Sequence, residues 1–232
     1  SSLKVGYVFP EAQYQSFGFQ SAYSNHKQKA YYGFRQYDIN HESFYSNLLF
    51  NSIIGNTKNK FKAGINFSYD QYIEAVDTFN FNRADNSAGA FFEYSYDNLE
   101  NFSLVSGVRF DTHNRLGNFI TPRVHIRYLP KENIIIRASV GNGRKAANIF
   151  AENQTLFGTN RIISITQNGG DIYGLNPEKA FNYGVSIRKI FSLWGGNGDI
   201  TADYYVTDFT DQVVVDWEEK GRISFYNLNG KS

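Results

Sequence analysis

The 232-residue chain suffices for one large β domain or two small ones, and its 23 Lys and Arg against 22 Asp and Glu leave a formal net charge of +1. That balance gives no reason to expect a nucleic-acid partner, and the lack of Cys excludes a disulfide scaffold and zinc–thiolate chemistry. A mean hydropathy of −0.45, with no apolar run long enough for a membrane helix, excludes a helical membrane protein. Aromatics nevertheless reach 17%, with 17 Tyr and 21 Phe. A polar chain this rich in aromatics and short strands fits a transmembrane β-barrel, in which aromatic girdles flank an apolar band around a polar interior; it also fits a soluble β-sandwich.

Lys4 to Val8 and Phe17 to Tyr23 read as strands joined through PEAQYQS. The polar SNHKQ is expected to turn the chain into AYYGFRQY and then the strand-like Ser43 to Ile54, and GNTKNK to turn it again. FKAGINFSYD then alternates strictly: Phe61, Ala63, Ile65, Phe67 and Tyr69 share one face, Lys62, Gly64, Asn66, Ser68 and Asp70 the other. The same alternation recurs at 88–96, 102–111, 120–128, 133–140, 181–188 and 199–206, with a last strand from Arg222 to Leu228. Short turns at 55–60, 97–101, 130–133 and the Gly-rich WGGNG alternate with longer connections at 73–83, 141–177 and 210–220. About twelve strands, many near ten residues long, with short turns at one end and long loops at the other, predict an antiparallel outer-membrane barrel.

The excursion from Gly141 to Pro177 organises the rest. Loops beyond about 15 residues are usually functional or disordered, and this one mixes Arg144, Lys145, Asn148, Glu152, Asn153 and Arg161 with Ile149, Phe150, Leu156 and Phe157. It is expected to be a folded surface loop. The polar rows carry a second signal. Arg109, Arg123, His125, Arg127, Arg137 and Arg188 all fall on the polar side of their strands, and each Arg facing lipid would cost about 2–4 kcal/mol. They must face a wet lumen or a plug, where they pair with Asp111, Glu93 and Asp203, dock another domain or guide an anionic solute.

RASVGNGRKAANIFAENQTLFG, then GLNPEKAFNYGVSIRKIF and ITADYYVTDFTDQVVVD, resemble the barrel of TonB-dependent outer-membrane receptors. The matching residues are Gly141, Gly143, Arg144 and Asn148, followed by Asn176, Pro177 and Glu178, and the strands from Phe91 to Pro130 are similar as well. The resemblance implies a barrel of about 22 strands around an N-terminal plug, of which residues 1–232 would be a wall segment with a long external loop. The absence of Met and of a signal peptide, and an end at NLNGKS directly after a strand, agree with part of a longer polypeptide.

By that resemblance the parent protein is a receptor of the Gram-negative outer membrane that imports a scarce solute, by default a ferric siderophore or similar metal chelate. Energy would come from the TonB complex acting through a plug outside this chain, with no covalent chemistry, metal or cofactor. Arg144, Asn148, Glu152, Asn153 and Arg161 are the expected ligand contacts; Arg144 and Asn148 could equally fix the loop to the wall. The rival readings are a complete small barrel acting as a channel or hydrolase, with His125 beside Ser103 or Ser139 as the place to look, and a soluble β-sandwich that binds carbohydrate or protein. Gly141-x-Gly143-x-x-Ala146 matches a loose dinucleotide fingerprint but lacks the βαβ setting that motif needs. The four histidines have no metal-ligand spacing.

Overall fold

The computed structural model describes residues 1–193 and 195–228. Trp194, in the expected WGGNG turn, and the terminal residues 229–232 lie outside that range. The chain runs through β1 (Ser2–Phe9), β2 (Ala12–Tyr32), β3 (Arg35–Ile54), β4 (Asn56–Val76), β5 (Phe79–Asn80), β6 (Arg83–Asp97), β7 (Phe102–His113), β8 (Gly117–Lys131) and β9 (Ile134–Lys145). A one-turn helix α1 (Ile149–Glu152), a 3-10 turn (Gln154–Gly158) and β10 (Ile162–Ile165) follow, then β11 (Glu178–Leu193), β12 (Gly196–Thr210), β13 (Val213–Asp216) and β14 (Arg222–Asn227).

Strands β1 to β12, without β10, form one 11-stranded sheet. Apart from the two-residue β5, which pairs only with β4, each strand lies antiparallel beside the next, and β9 meets β11 directly. The all-β antiparallel wall expected from the alternation is therefore present. Strands β10, β14 and β13 form a separate three-stranded sheet in which β10 runs parallel to β14.

Several strands are longer than their polarity suggested. SNHKQ does not turn: Ser24 to Gln28 pair with Ser43 to Ile39, and the chain reverses instead at Gly33–Phe34. Only Gly55 turns within GNTKNK, at a φ of 75° that favours glycine. The excursion expected from Gly141 leaves the sheet five residues later, because residues 141–145 pair with 182–178. The last strand, β14, lies outside the wall sheet.

Paired residues share a face of a sheet, so the register assigns every wall residue a side. The outer side carries Phe17, Phe19, Leu48, Ile65, Phe67, Phe92, Val108, Phe110, Ile120, Ile126, Val140, Val185, Ile187 and Ile200, all exposed. Phe9, Phe17, Phe50, Phe61 and Phe92 form a chain of rings across five strands, each 4.8–5.9 Å from the next. On β4 the band runs from Phe61 to Tyr69, about 27 Å of strand or about 20 Å of height once tilted, near the roughly 25 Å apolar band of outer-membrane barrels. Left in water, such a face would lose about 25 cal/mol for every Å² that lipid could cover.

Above that band β2, β3 and β4 continue and change character. On β2 and β3 the outer side turns polar, with Asn25, Lys27 and Lys29 on β2 and Glu42, Asn40, Asp38 and Gln36 on β3, while β4 keeps Ile73 and Ala75 on that side. Asn25 donates from Nδ2 to Asn40 Oδ1 at 3.2 Å and to Glu42 Oε1 at 3.0 Å. Their inner side turns apolar, and the buried core begins there. Tyr37 and Val76 pack with Ala147, Ile149, Phe150, Leu156, Phe157, Leu175, Ile223 and Phe225, flanked by Tyr32, Ile39, Phe81 and Tyr173. The core thus lies at the rim, between the extended strands, the 146–177 loop and the small sheet.

The hairpin turns explain this asymmetry. Residues 10–11, 55, 98–101 and 132–133 turn at one end of the sheet, all briefly. The opposite end holds 33–34, 77–82, 114–116, the 146–177 loop and the segment after β12. Everything bulky therefore gathers at one rim.

Candidate functional site

Below the rim, the inner face carries the basic row. The register places Ser103, Arg127, Arg137, Ser186 and Asp203 on one line across β7 to β12, and Val105, His125, Ser139 and Gly184 on the next. Arg123 lies one step higher, opposite Gly107 and Gly141, and Arg109 opposite Thr121. Arg188 sits opposite Thr201 on the same side. All six residues predicted to share the polar face do so.

Their electrostatics differ. Arg109 forks onto Asp111, with Nε to Oδ2 at 2.6 Å and Nη2 to Oδ1 at 2.7 Å. Arg123 donates to Glu93, which also takes Lys62 at 3.5 Å. Arg188 donates from Nε to Asp199 Oδ2 at 3.0 Å rather than to Asp203. Among the described residues, His125, Arg127 and Arg137 have no hydrogen-bond or ion-pair partner, although Arg127 and Arg137 are direct cross-strand neighbours. Like charges so placed repel. His125 and Ser139 are also neighbours, but no hydrogen bond joins them, so no nucleophile–base pair is assembled there.

Of the residues predicted for the loop, Arg144 lies on β9, Asn148, Glu152 and Asn153 lie at α1, and Arg161 lies beyond the 3-10 turn. Asn148 accepts a hydrogen bond from Arg83 through Oδ1, and its backbone N–H donates to Glu152 Oε1 at 3.4 Å. Glu152 also pairs with Lys145 at 2.8 Å. Asn153 donates from Nδ2 to the Ile149 carbonyl at 2.8 Å, covering one of the carbonyls a helix end leaves open. Arg161 donates from Nη1 to the Trp217 carbonyl at 2.7 Å, while its own carbonyl takes Arg35 Nη2 at 2.8 Å. Arg144 is exposed; its guanidinium lies 5.3 Å from the Phe119 ring centre and makes one long bond, 3.4 Å, to the Leu116 carbonyl. Each of the five thus has a partner within the chain, and Arg144 holds its partner most loosely.

The structure adds residues from the 73–83 stretch and the strand after it. Glu74, on β4, is 1% exposed, and Arg83, on β6, is 8% exposed; they pair at 3.4 Å. Tyr37 donates from Oη to Glu74 Oε1 at 3.0 Å, and Tyr173 donates to Glu74 Oε2. Arg83 donates from Nη1 to Tyr173 Oη at 3.0 Å and from Nε to Asp85 Oδ2 at 3.2 Å, and it lies 3.9 Å from the centre of the Tyr72 ring. Asp85 Oδ1 takes Arg115 Nε at 2.7 Å, and Arg115 Nη1 reaches the Asp171 carbonyl at 3.3 Å. Burial, reinforced by the Glu74 carboxylate, pushes the Tyr173 phenol well above its ordinary range, which keeps it a donor. The sequence signal is faint: 74 and 83 are inner-facing positions two residues from Tyr72 and Phe81, hidden because 73–83 reads as a long connection.

Asn176 and Glu178, on either side of Pro177, tie the loop base to the small sheet. Asn227, 4% exposed, donates from Nδ2 to the carbonyls of Asn176 at 3.0 Å and Asp211 at 2.7 Å. Its Oδ1 accepts the Asn176 N–H at 2.8 Å, and Glu178 Oε1 accepts the Val213 N–H at 2.8 Å. One buried amide thereby satisfies backbone groups from two loops.

The β-barrel domain model described as TonB dependent receptor-like matches residues 2–232, almost the entire chain. This chain belongs to the TonB-dependent receptor β-barrel family. Among solved structures, the hemophore receptor HasR of Serratia marcescens, in complex with its hemophore HasA and heme, is 13% identical with a TM-score of 0.68, covering 100% of this chain and 44% of that one. The siderophore receptor PirA of Pseudomonas aeruginosa is 14% identical with a TM-score of 0.60, over 94% of this chain and 42% of that one. P. aeruginosa FpvA, bound to iron-loaded pyoverdine, is 11% identical with a TM-score of 0.66, over 93% and 33%. At such identities the likeness is one of fold, and the chain spans less than half the length of these solved proteins. No curated protein matches it by sequence. The motif Asn176-Pro177-Glu178 that carried the resemblance is therefore a structural clasp at the foot of the loop.

Proposed function

We propose that this chain forms wall and rim of an energy-coupled outer-membrane receptor that imports a scarce solute, a ferric siderophore or similar metal chelate. The observation that carries this reading is the two-faced wall, apolar outside and basic inside, crowned on one rim by folded loops. Family membership across residues 2–232 supports it, as do solved neighbours whose names are siderophore and hemophore receptors. In this reading the rim faces the cell exterior and the TonB complex pulls on a plug held within the barrel. Passage of the solute makes and breaks no covalent bond.

Residues 109, 123, 125, 127, 137 and 188 face that lumen and its plug. Arg127 and Arg137, which lack counter-ions among the described residues, supply positive potential for an anionic chelate or a plug carboxylate. Ligand contact at the rim falls to Arg144, Asn148, Glu152, Asn153 and Arg161, with Arg144 the most available because it is exposed and loosely held. The test is uptake of iron-55 presented on a panel of siderophores, or as haem, by cells with and without the gene under iron limitation. Energy-dependent uptake of one ligand, lost on deletion and restored by the gene, supports import; normal uptake of every iron source in the deletion strain rejects an iron cargo.

A further inference from the structure

The rim seam has an apolar half and a polar half. The apolar half stacks Phe157 against Tyr32 at 5.5 Å and Tyr37 at 5.1 Å, with Phe150 against Phe81 at 4.9 Å. The polar half is the cluster around Glu74 and Arg83, and its charges are distributed unevenly. Both members of the buried ion pair, and Asp85 and Arg115 beside them, belong to the wall or its turns. The loop brings only neutral groups: the Tyr173 hydroxyl, the Asn148 amide and the Asp171 carbonyl. Lifting the loop therefore strands no charge, because Glu74 and Arg83 stay paired with each other. Breaking a buried pair by removing one partner is strongly destabilising, and this division of groups avoids that cost.

Tyr173 supplies a second, independent sign. It sits at φ 54° in the left-handed region, followed by Gly174 at φ 78°. A bulky aromatic there is strained, and such strain persists where the surroundings over-determine it and clusters at switch regions. Here the hydroxyl bonds to Glu74 and Arg83 hold the residue in place.

We propose that Tyr173 and Asn148 are the releasable half of a latch: the 146–177 loop, together with the small sheet that its β10 shares with β14, exchanges between a docked state and a lifted state, and solute reaches the lumen past this sector when the latch opens. This rests on the import reading for its purpose only, because loop position can be measured whether or not anything is carried.

The test places a spin label at Thr155→Cys, an exposed position of the 3-10 turn, in the whole receptor in outer-membrane vesicles, with any cysteine elsewhere replaced; this chain has none. Wild type should show a small mobile component. Tyr173→Phe, which keeps the ring and removes two hydrogen bonds to charged partners, should raise that component about tenfold, and adding Asn148→Ala should raise it further. Heat-dependent gel mobility should show the wall still folded in every variant. An unchanged mobile fraction in both variants overturns the proposal, and so does loss of the folded wall in both, which would make the cluster a support of the barrel itself.

Discussion

The lower and upper halves of β2, β3 and β4 follow the same alternation with opposite meaning. In the lower half the outward residues are Phe17, Phe19, Phe44, Leu48, Ile65 and Phe67, and the inward ones Gln20, Asn47, Asn66 and Ser68. In the upper half β2 and β3 turn Asn25, Lys27, Asp38 and Asn40 outward, beside Ile73 of β4, and the inward residues are Tyr37, Ile39 and Val76 around the buried Glu74. A period of two states only that a strand has two different sides. Which side is apolar depends on where the water is: in the proposed receptor lipid surrounds the lower half, whereas the upper half stands in water and covers a loop. In that reading the switch near Ser24, Ser43 and Asp70 marks the level at which the wall leaves the bilayer.

The largest expected effect comes from emptying the upper core. Phe150→Ala should cost about 3–5 kcal/mol, felt by the rim alone, so that protease nicks the 146–177 loop while the wall keeps its heat-dependent gel mobility. The lower half is challenged by Phe67→Arg, which puts a cation on the lipid side for about 2–4 kcal/mol and should lower the assembled fraction in vesicles. The same Arg at Ser68, on the inner side, should assemble nearly as wild type, and equal losses at both sites would refute the assignment of faces. Asn227→Ala removes the amide that joins two loops and should cost about 1–3 kcal/mol, read as protease sensitivity appearing together in 146–177 and 211–228.

Two smaller effects sharpen the same contrast. The docked Tyr173 phenol has a raised pKa, so the docked loop keeps its proton at pH values where the lifted loop loses it. Docking is fully present below pH 10, the ordinary value for the phenol, and weakens as pH rises above it; spin-label mobility against pH should show this, with no change between pH 6 and 8. Arg144→Ala should change stability by less than about 0.5 kcal/mol yet lower uptake. Unaltered ligand affinity in that variant would remove Arg144 from the ligand-binding set.

Much of the wall was legible because lipid enforces the alternation. From Phe61 to Tyr69 each outward residue is apolar or aromatic, and the shared polar side of Arg109, Arg123, Arg127, Arg137 and Arg188 followed from the same alternation. The upper strands were not legible because their outward polarity resembles a turn: Ser24 to Gln28 carry no apolar residue yet pair in full. The candidate site was half visible. Asn148 and Arg144 stood out as polar residues in a long loop, but Glu74 and Arg83 lie more than sixty positions earlier than their partners Asn148 and Tyr173. Such pairing depends on a loop folding back over the rim, and no local pattern records that.

The shared sheet of β10, β14 and β13 has a consequence for how this rim can change. Loops on a barrel are ordinarily separate modules, free to lengthen, shorten or be exchanged one at a time. Here β10 from one loop lies along β14 from the next, and Asn227 fastens both to the foot of β11. A chimera that imported 146–177 alone would meet a mismatched strand and an orphaned amide. The two segments form one unit of exchange, to be grafted, recombined or diversified together.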